Sequence, residues 1–179
     1  MHKSLFLAAK TPFLQIRTTP LLALISSGNT VKSGSERFNS KGSPTVINCT
    51  FSGNSGYDGG GIHNYEDSSP MPTNCILGGD GPDEIFDDAS GLSSVNYSDV
   101  EGGWTGADGN NIDDDPLLVD AANRDLHLSA ASPCIDAADS TSSPNAKIWK
   151  DLDERIRYVD ISVMPNTCSG PYEFVDMGA

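Results

Sequence analysis

The chain has 179 residues, enough for one domain, and its 18 Gly and 11 Pro set among abundant Asn, Asp, Ser and Thr predict frequent turns and short elements rather than long helices. Its net charge of -14 is divided unevenly: residues 1–57 carry six basic and one acidic residue (+5), and residues 58–179 carry five basic and 24 acidic (-19). Between Lys41 and Arg124 there is no Lys or Arg, which excludes a counterion-releasing phosphate surface and therefore nucleic-acid binding.

The stretch from Met1 to Gly42 reads as a poorly structured N-terminal segment. MHKSLFLAAK begins like a leader, but Lys10, Pro12, Gln15 and Arg17 interrupt it before PLLALISSG at 20–28. Neither apolar run is long enough to span a bilayer. Two readings stay open: a cleaved signal with its apolar stretch at 21–25 and small residues near Ser26 to Gly28, or a segment unrelated to the fold, either a damaged coil or a start placed inside a longer gene. The stretch 26–43, SSGNTVKSGSERFNSKGS, is polar and reads as a linker.

From Ser43 a repeat emerges. Aligning INCTF (47–51), TNCIL (73–77) and VNYSD (95–99) puts Asn48, Asn74 and Asn96 in one column. GIHNY (61–65) and EIFDD (84–88) form a second column, with Ile62 above Ile85. A period in the low twenties, with short strands separated by Gly, Asn and Asp, predicts stacked coils in which equivalent residues lie about 4.8 Å apart. Asn suits such a corner because it tolerates left-handed backbone. Cys49 above Cys75 predicts a neighbouring inward ladder of small side chains, whose stacked parallel geometry fits a disulfide poorly.

GGDGPDEIFDD (78–88) matches the G-G-x-G-x-D-x-U-x nonapeptide of calcium-binding rolls at every specified position. A roll needs tandem copies, because each ion takes ligands from two turns, and this chain has one. Gly78 to Gly81 therefore read as a coil corner and Ile85 as a core residue. Asp83 remains a weak metal-ligand candidate, as do Asp113 and Asp115 of NNIDDDP (110–116), whose alternate side chains can share a face. No cofactor is expected beyond calcium at those carboxylates. Tyr57, Tyr65 and Trp104 are candidate platforms for sugar rings.

The segment 43–179 resembles the C-terminal portion of secreted right-handed parallel β-helix repeat proteins, akin in repeat style to polymorphic outer-membrane proteins. The stretches that carry the likeness include SPTVINCTFSGNS (43–55), GGGIHN (59–64), VNYSDVEGGW (95–104), DPLLVD (115–120), SPCIDAADS (132–140) and VDMGA (175–179). The resemblance implies an all-β, right-handed parallel β-helix of two to three legible coils at 43–130, closed by an irregular cap at 131–179. It also implies a secreted or cell-surface location and a longer parent protein.

Lyase chemistry on uronates calls for a strong base, commonly Arg or Lys, and the span 43–123 contains neither. Paired carboxylates for hydrolysis cannot be chosen among 25 acids. The expectation is thus a non-catalytic surface module whose partner is a polysaccharide or cell-surface glycan. The alternative is a carbohydrate-active lyase or hydrolase with its catalytic coils elsewhere.

Overall fold

A computed structural model describes residues 21–22, 25–29, 39–106, 109–141, 151, 153, 155, 165–167 and 175–178. Among these residues there are strands and one 3₁₀ turn, Ala121–Asn123, and no α-helix, so the protein is all-β. The strands in chain order are β1 (Leu21–Leu22), β2 (Ile25–Ser27), β3 (Asn39–Ser40), β4 (Thr45–Ile47), β5 (Thr50–Ser52), β6 (Ser55–Tyr65), β7 (Met71–Thr73), β8 (Ile76–Gly78), β9 (Gly81–Asp87), β10 (Asp99–Val100), β11 (Leu118–Asp120) and β12 (Asp125–Leu128).

Three small sheets are wholly parallel: β1-β4-β7, β2-β5-β8-β10 and β3-β6-β9. β11 and β12 form a separate antiparallel pair. From β1 to β9 the chain visits the three parallel sheets in turn, so each of these strands meets its next partner after passing through the other two sheets. Val46 of β4 pairs in this way with Pro72 of β7, and Ile62 of β6 with Ile85 of β9. Between β9 and β10 the first sheet is met only by the isolated bridge of Asn96 to Thr73. Parallel strands cannot be joined by a hairpin, and the intervening strands supply the crossover.

Described residues before Gly42 pair with strands that follow it. Leu21 and Leu22 pair with Val46 and Ile47, Ile25 to Ser27 with Thr50 to Ser52, and Asn39 and Ser40 with Asn64 and Tyr65. Leu21–Leu22 and Ile25–Ser27 thus each add a strand to a parallel sheet, and Asn39–Ser40 adds one to the third.

Two cores flank the β2-β5-β8-β10 sheet. Between the sheets, Val46, Cys49, Phe51, Ile62, Cys75, Leu77, Val95 and Val100 are buried together. On the other side Ile76 packs with Cys134, Ala137, Ala138, Val175 and Met177. Cys75, Ile76 and Leu77 are consecutive apolar residues, so both faces of β8 demand cover. The C-terminal segment answers on the outer face. Met177 N donates to Cys134 O, Ala138 N to Val175 O, and Gly178 N to Asn74 O. The described residues of the C-terminal segment thus lie against this outer face.

Cys49, Cys75 and Cys134 are buried thiols. Most of 142–164 and all of 168–174, Cys168 included, lie outside the described residues.

Candidate functional site

The site begins at a corner repeated four times. β2, β5, β8 and β10 lead into Gly28, Gly53, Gly79 and Gly102, whose φ angles are +64°, +67°, +73° and +81°. Glycine reaches this left-handed region without the Cβ clash that other residues meet. One residue further stand Asn29, Asn54, Asp80 and Gly103. Asn54 Oδ1 accepts from Asn29 N at 3.2 Å and from Asn29 Nδ2 at 3.0 Å. Asn54 Nδ2 then donates to Asp80 Oδ1 at 2.8 Å, and Asn54 N to the same oxygen at 2.6 Å. Gly103 has no side chain to continue the ladder, so it ends on a carboxylate.

Above Asp80 the protein is open. β9 is the outermost described strand of its sheet, whereas the neighbouring sheet runs one row further to β10, with Ile112 bridging beyond it. The step between them forms a cleft of about 580 Å³ lined by Asp80, Asp83, Glu84, Glu101, Trp104 and the backbone of Gly102 and Gly103. Glu101 Oε2 accepts from Gly79 N, and Asp80 N donates to Glu84 Oε1 at 3.0 Å.

Asp80 and Glu84 are 6% and 8% exposed. With both carboxyls ionised, Asp80 Oδ2 and Glu84 Oε2 would have no donor. Burial first, and the Asp80 charge second, push Glu84 up to about 9. Burial likewise raises Asp80 to about 6, against the lowering effect of the Asn54 bonds. Both shifts run upward, so the pair holds a proton more readily than free carboxyls do, and a retained proton would let one carboxyl donate to the other. Gly61 makes room for the pair. A Cβ there would stand 2.8 Å from Asp80 Oδ2 and 2.6 Å from the Glu84 carbonyl oxygen.

Of the residues singled out from sequence, Asp83 lines the cleft from an exposed position and Trp104 lines it while also packing against the inner core. Tyr57 stands at the start of β6 with 74% exposure, and Tyr65 at its end, edge-on to His63. Neither lines the cleft, so the three aromatics do not make one platform. Asp113 and Asp115 serve different turns: Asp113 Oδ1 accepts from Gly102 N at 2.9 Å, and Asp115 Oδ1 from Leu117 N at 2.9 Å. Among the described residues no three His, Cys, Asp or Glu side chains gather in a way that could hold a metal ion.

The asparagine column holds for two rows and slips in the third. Asn48 and Asn74 follow the paired residues Ile47 and Thr73 and have φ of +51° and +55°. Thr73 bridges to Asn96, so the equivalent corner belongs to Tyr97, at φ +46°. Ser98 Oγ then accepts from Cys75 N at 3.0 Å, repairing the ladder beside that irregular corner. Cys49 and Cys75 are both fully buried in the inner core, as an inward ladder requires.

A second polar constellation lies apart from the cleft. His127 Nδ1 meets Asp125 and its Nε2 meets Asp153, and these two carboxylates, Asp125 foremost, raise the imidazole's pKa. Both ring nitrogens are occupied by carboxylates, which leaves neither available to a metal or a nucleophile.

Sequence reasoning missed Asp80, Glu84 and Glu101. The available signal was the SGN, SGN, GGD and EGG series at 27–29, 52–54, 78–80 and 101–103. Against known proteins, the chain matches no family model, no curated protein and no solved structure. Fold and site together define an all-β protein with an acidic, partly aromatic open cleft. Among the described residues no helix is long and apolar enough to cross a membrane.

Proposed function

We propose that the chain is part of a secreted or cell-surface right-handed parallel β-helix, and that it binds glycans without turning them over. Three parallel sheets visited in rotation, each strand pairing with the one that follows it by a full circuit, support the coil reading. The observation that carries the binding reading is Trp104 beside carboxyl groups and open backbone in a cleft of about 580 Å³. That volume falls within the range of about 300–1,000 Å³ usual for small-ligand sites. An indole face covers the apolar side of a pyranose, while carboxylates accept hydrogen bonds from its hydroxyls.

The test is a glycan array with the purified chain and with Trp104→Phe, the milder change for a ring that also packs on the core. Binding to a defined oligosaccharide that weakens in the variant supports the reading. A blank array with folded protein removes it.

A second reading, hydrolysis of a glycosidic bond, has one feature in its favour: burial raises the Glu84 carboxyl beside the cleft well above the usual carboxylate range, the direction a general acid needs. Its oxygens are buried, however, and one of them already accepts from Asp80 N. Release of reducing sugar by this chain, abolished in Glu84→Gln, would replace the first reading with this one.

A further inference from the structure

The cleft has a chemical bias that names its ligand class more closely, and this inference rests on the glycan-binding reading above. Asp80, Asp83, Glu84 and Glu101 line it, and no Lys, Arg or His does. Asp83 and Glu101 are exposed at its rim. Asp80 and Glu84, each more than nine-tenths buried, form its floor, and each keeps one carboxyl oxygen for which the described residues supply no N–H donor. The nearest Lys or Arg along the chain are Lys41 and Arg124, so neither residue type supplies a cation to this lining from the residues between. A polyuronate would bring more anions against it. A neutral sugar would use the ring of Trp104 and offer the rim carboxylates hydroxyl donors but no counter-charge.

We propose that the cleft selects glycans bearing free amino groups, the deacetylated amino-sugar chains, over neutral, N-acetylated and acidic ones. The indole covers a pyranose face, and the carboxylates of Asp83 and Glu101 receive the ammonium, which is also attracted to the indole face. The same charge pattern would attract a basic peptide. An extended peptide, though, needs main-chain donors along the open edge of β9, and Pro82 in that strand has no N–H to offer.

Calorimetric titration at low salt in mildly acidic buffer tests this with four sugar probes and one peptide: a chitosan tetramer, its fully N-acetylated counterpart, cellotetraose, tetragalacturonate and tetralysine. The chitosan tetramer should bind about tenfold tighter than its acetylated counterpart, as expected for a cation desolvated beside carboxylates and an aromatic face. Added salt should shrink that ratio. In the double variant Asp83→Asn with Glu101→Gln, both at exposed rim positions, the two affinities should converge. Asp67→Asn, which removes a charge outside the cleft, should keep the ratio. Equal affinities in the native chain, or a ratio that survives the double variant, overturn the inference while glycan binding stands. Tetralysine binding as tightly as the chitosan tetramer overturns it in favour of a peptide site. Failure of every sugar to bind removes both this inference and the reading beneath it.

Discussion

Asn54 reaches Asp80 Oδ1 twice, through its main-chain N–H at 2.6 Å and its carboxamide Nδ2 at 2.8 Å, from one row of the stack to the next. Both side chains are buried, at 5% and 6% exposure, so neither can exchange these bonds for water. Asn54→Ala leaves Asp80 with one donor fewer and also removes the acceptor of two Asn29 hydrogen bonds. The expected loss is about 1–3 kcal/mol of unfolding free energy, the range for orphaning a buried polar group. A urea titration measures it, and an unchanged midpoint would show that the ladder adds nothing to stability.

The carboxyl pair sets a direction for stability against pH. Glu84 rises from 4.5 to about 9 and Asp80 from 3.8 to about 6 on folding. A raised folded-state value means that the native chain holds a proton the unfolded chain has released. The associated stability is full below the ordinary carboxylate range and declines as pH rises, through about 6 for Asp80 and about 9 for Glu84. The melting temperature should therefore fall from mildly acidic to alkaline buffer. Glu84→Gln, which keeps a neutral donor in place, should flatten the alkaline part of that curve. A native melting temperature that climbs steadily toward alkaline pH is the contrary result.

Periodic features were legible in the sequence and single-copy ones were not. Ile62 and Ile85 announce their pairing because they recur at a strand position with similar neighbours. Asn96 misled because asparagine favours a left-handed corner, yet the third row shifts by one and the corner falls on Tyr97. β1 and β2 were hidden by the likeness of PLLALISSG to a leader, since a short apolar run has the same letters in either role. The outward burial of Ile76 was readable in principle from three apolar residues in a row. The cleft was not, because burial of Asp80 and Glu84 depends on where two sheets stop, and a sequence rich in acids does not mark which ones lose their water.

Tyr97 marks a place where the chain is strained. It occupies the left-handed corner that Asn48 and Asn74 fill in the preceding rows, and for a residue other than Gly or Asn that conformation costs about 1–2 kcal/mol. Tyr97→Asn should raise the denaturation midpoint by up to about 1 kcal/mol, part of the gain being offset by lost contacts of the half-buried ring. Asn74→Ala should act in the opposite sense and more strongly. Besides its corner, Asn74 exchanges two hydrogen bonds with Asp139, accepting from its N at 2.8 Å and donating to its O at 2.9 Å.

The thiols offer a readout of both cores. Cys134 Sγ donates to Asp99 Oδ2 at 3.1 Å, and burial, followed by the Asp99 charge, pushes its pKa far up. A thiol so placed forms almost no thiolate and is a poor nucleophile. Iodoacetamide should leave Cys49, Cys75 and Cys134 unlabelled in the native chain and modify all three in denaturant, as resolved by peptide mass spectrometry. Native labelling of Cys134 alone would show that the outer core opens independently of the inner one.

Gly178 locks the C-terminal segment onto the side of the sheets. Its φ is +82°, and a Cβ there would stand 2.7 Å from Ile76 Cδ1 and 2.8 Å from Thr50 Oγ1. Any side chain thus meets a backbone penalty and a steric one in the same place, and relief of the clash would draw Gly178 N away from Asn74 O, its acceptor at 2.8 Å. Gly178→Ala should cost about 1–3 kcal/mol, the usual range for overpacking a filled site. Because Met177 and Val175, beside Gly178, pack with Ile76 and Cys134 in the outer core, the same variant should speed labelling of Cys134 and leave Cys49 and Cys75 protected. Equal acceleration at all three thiols would mean instead that the outer segment and the inner core unfold as one unit.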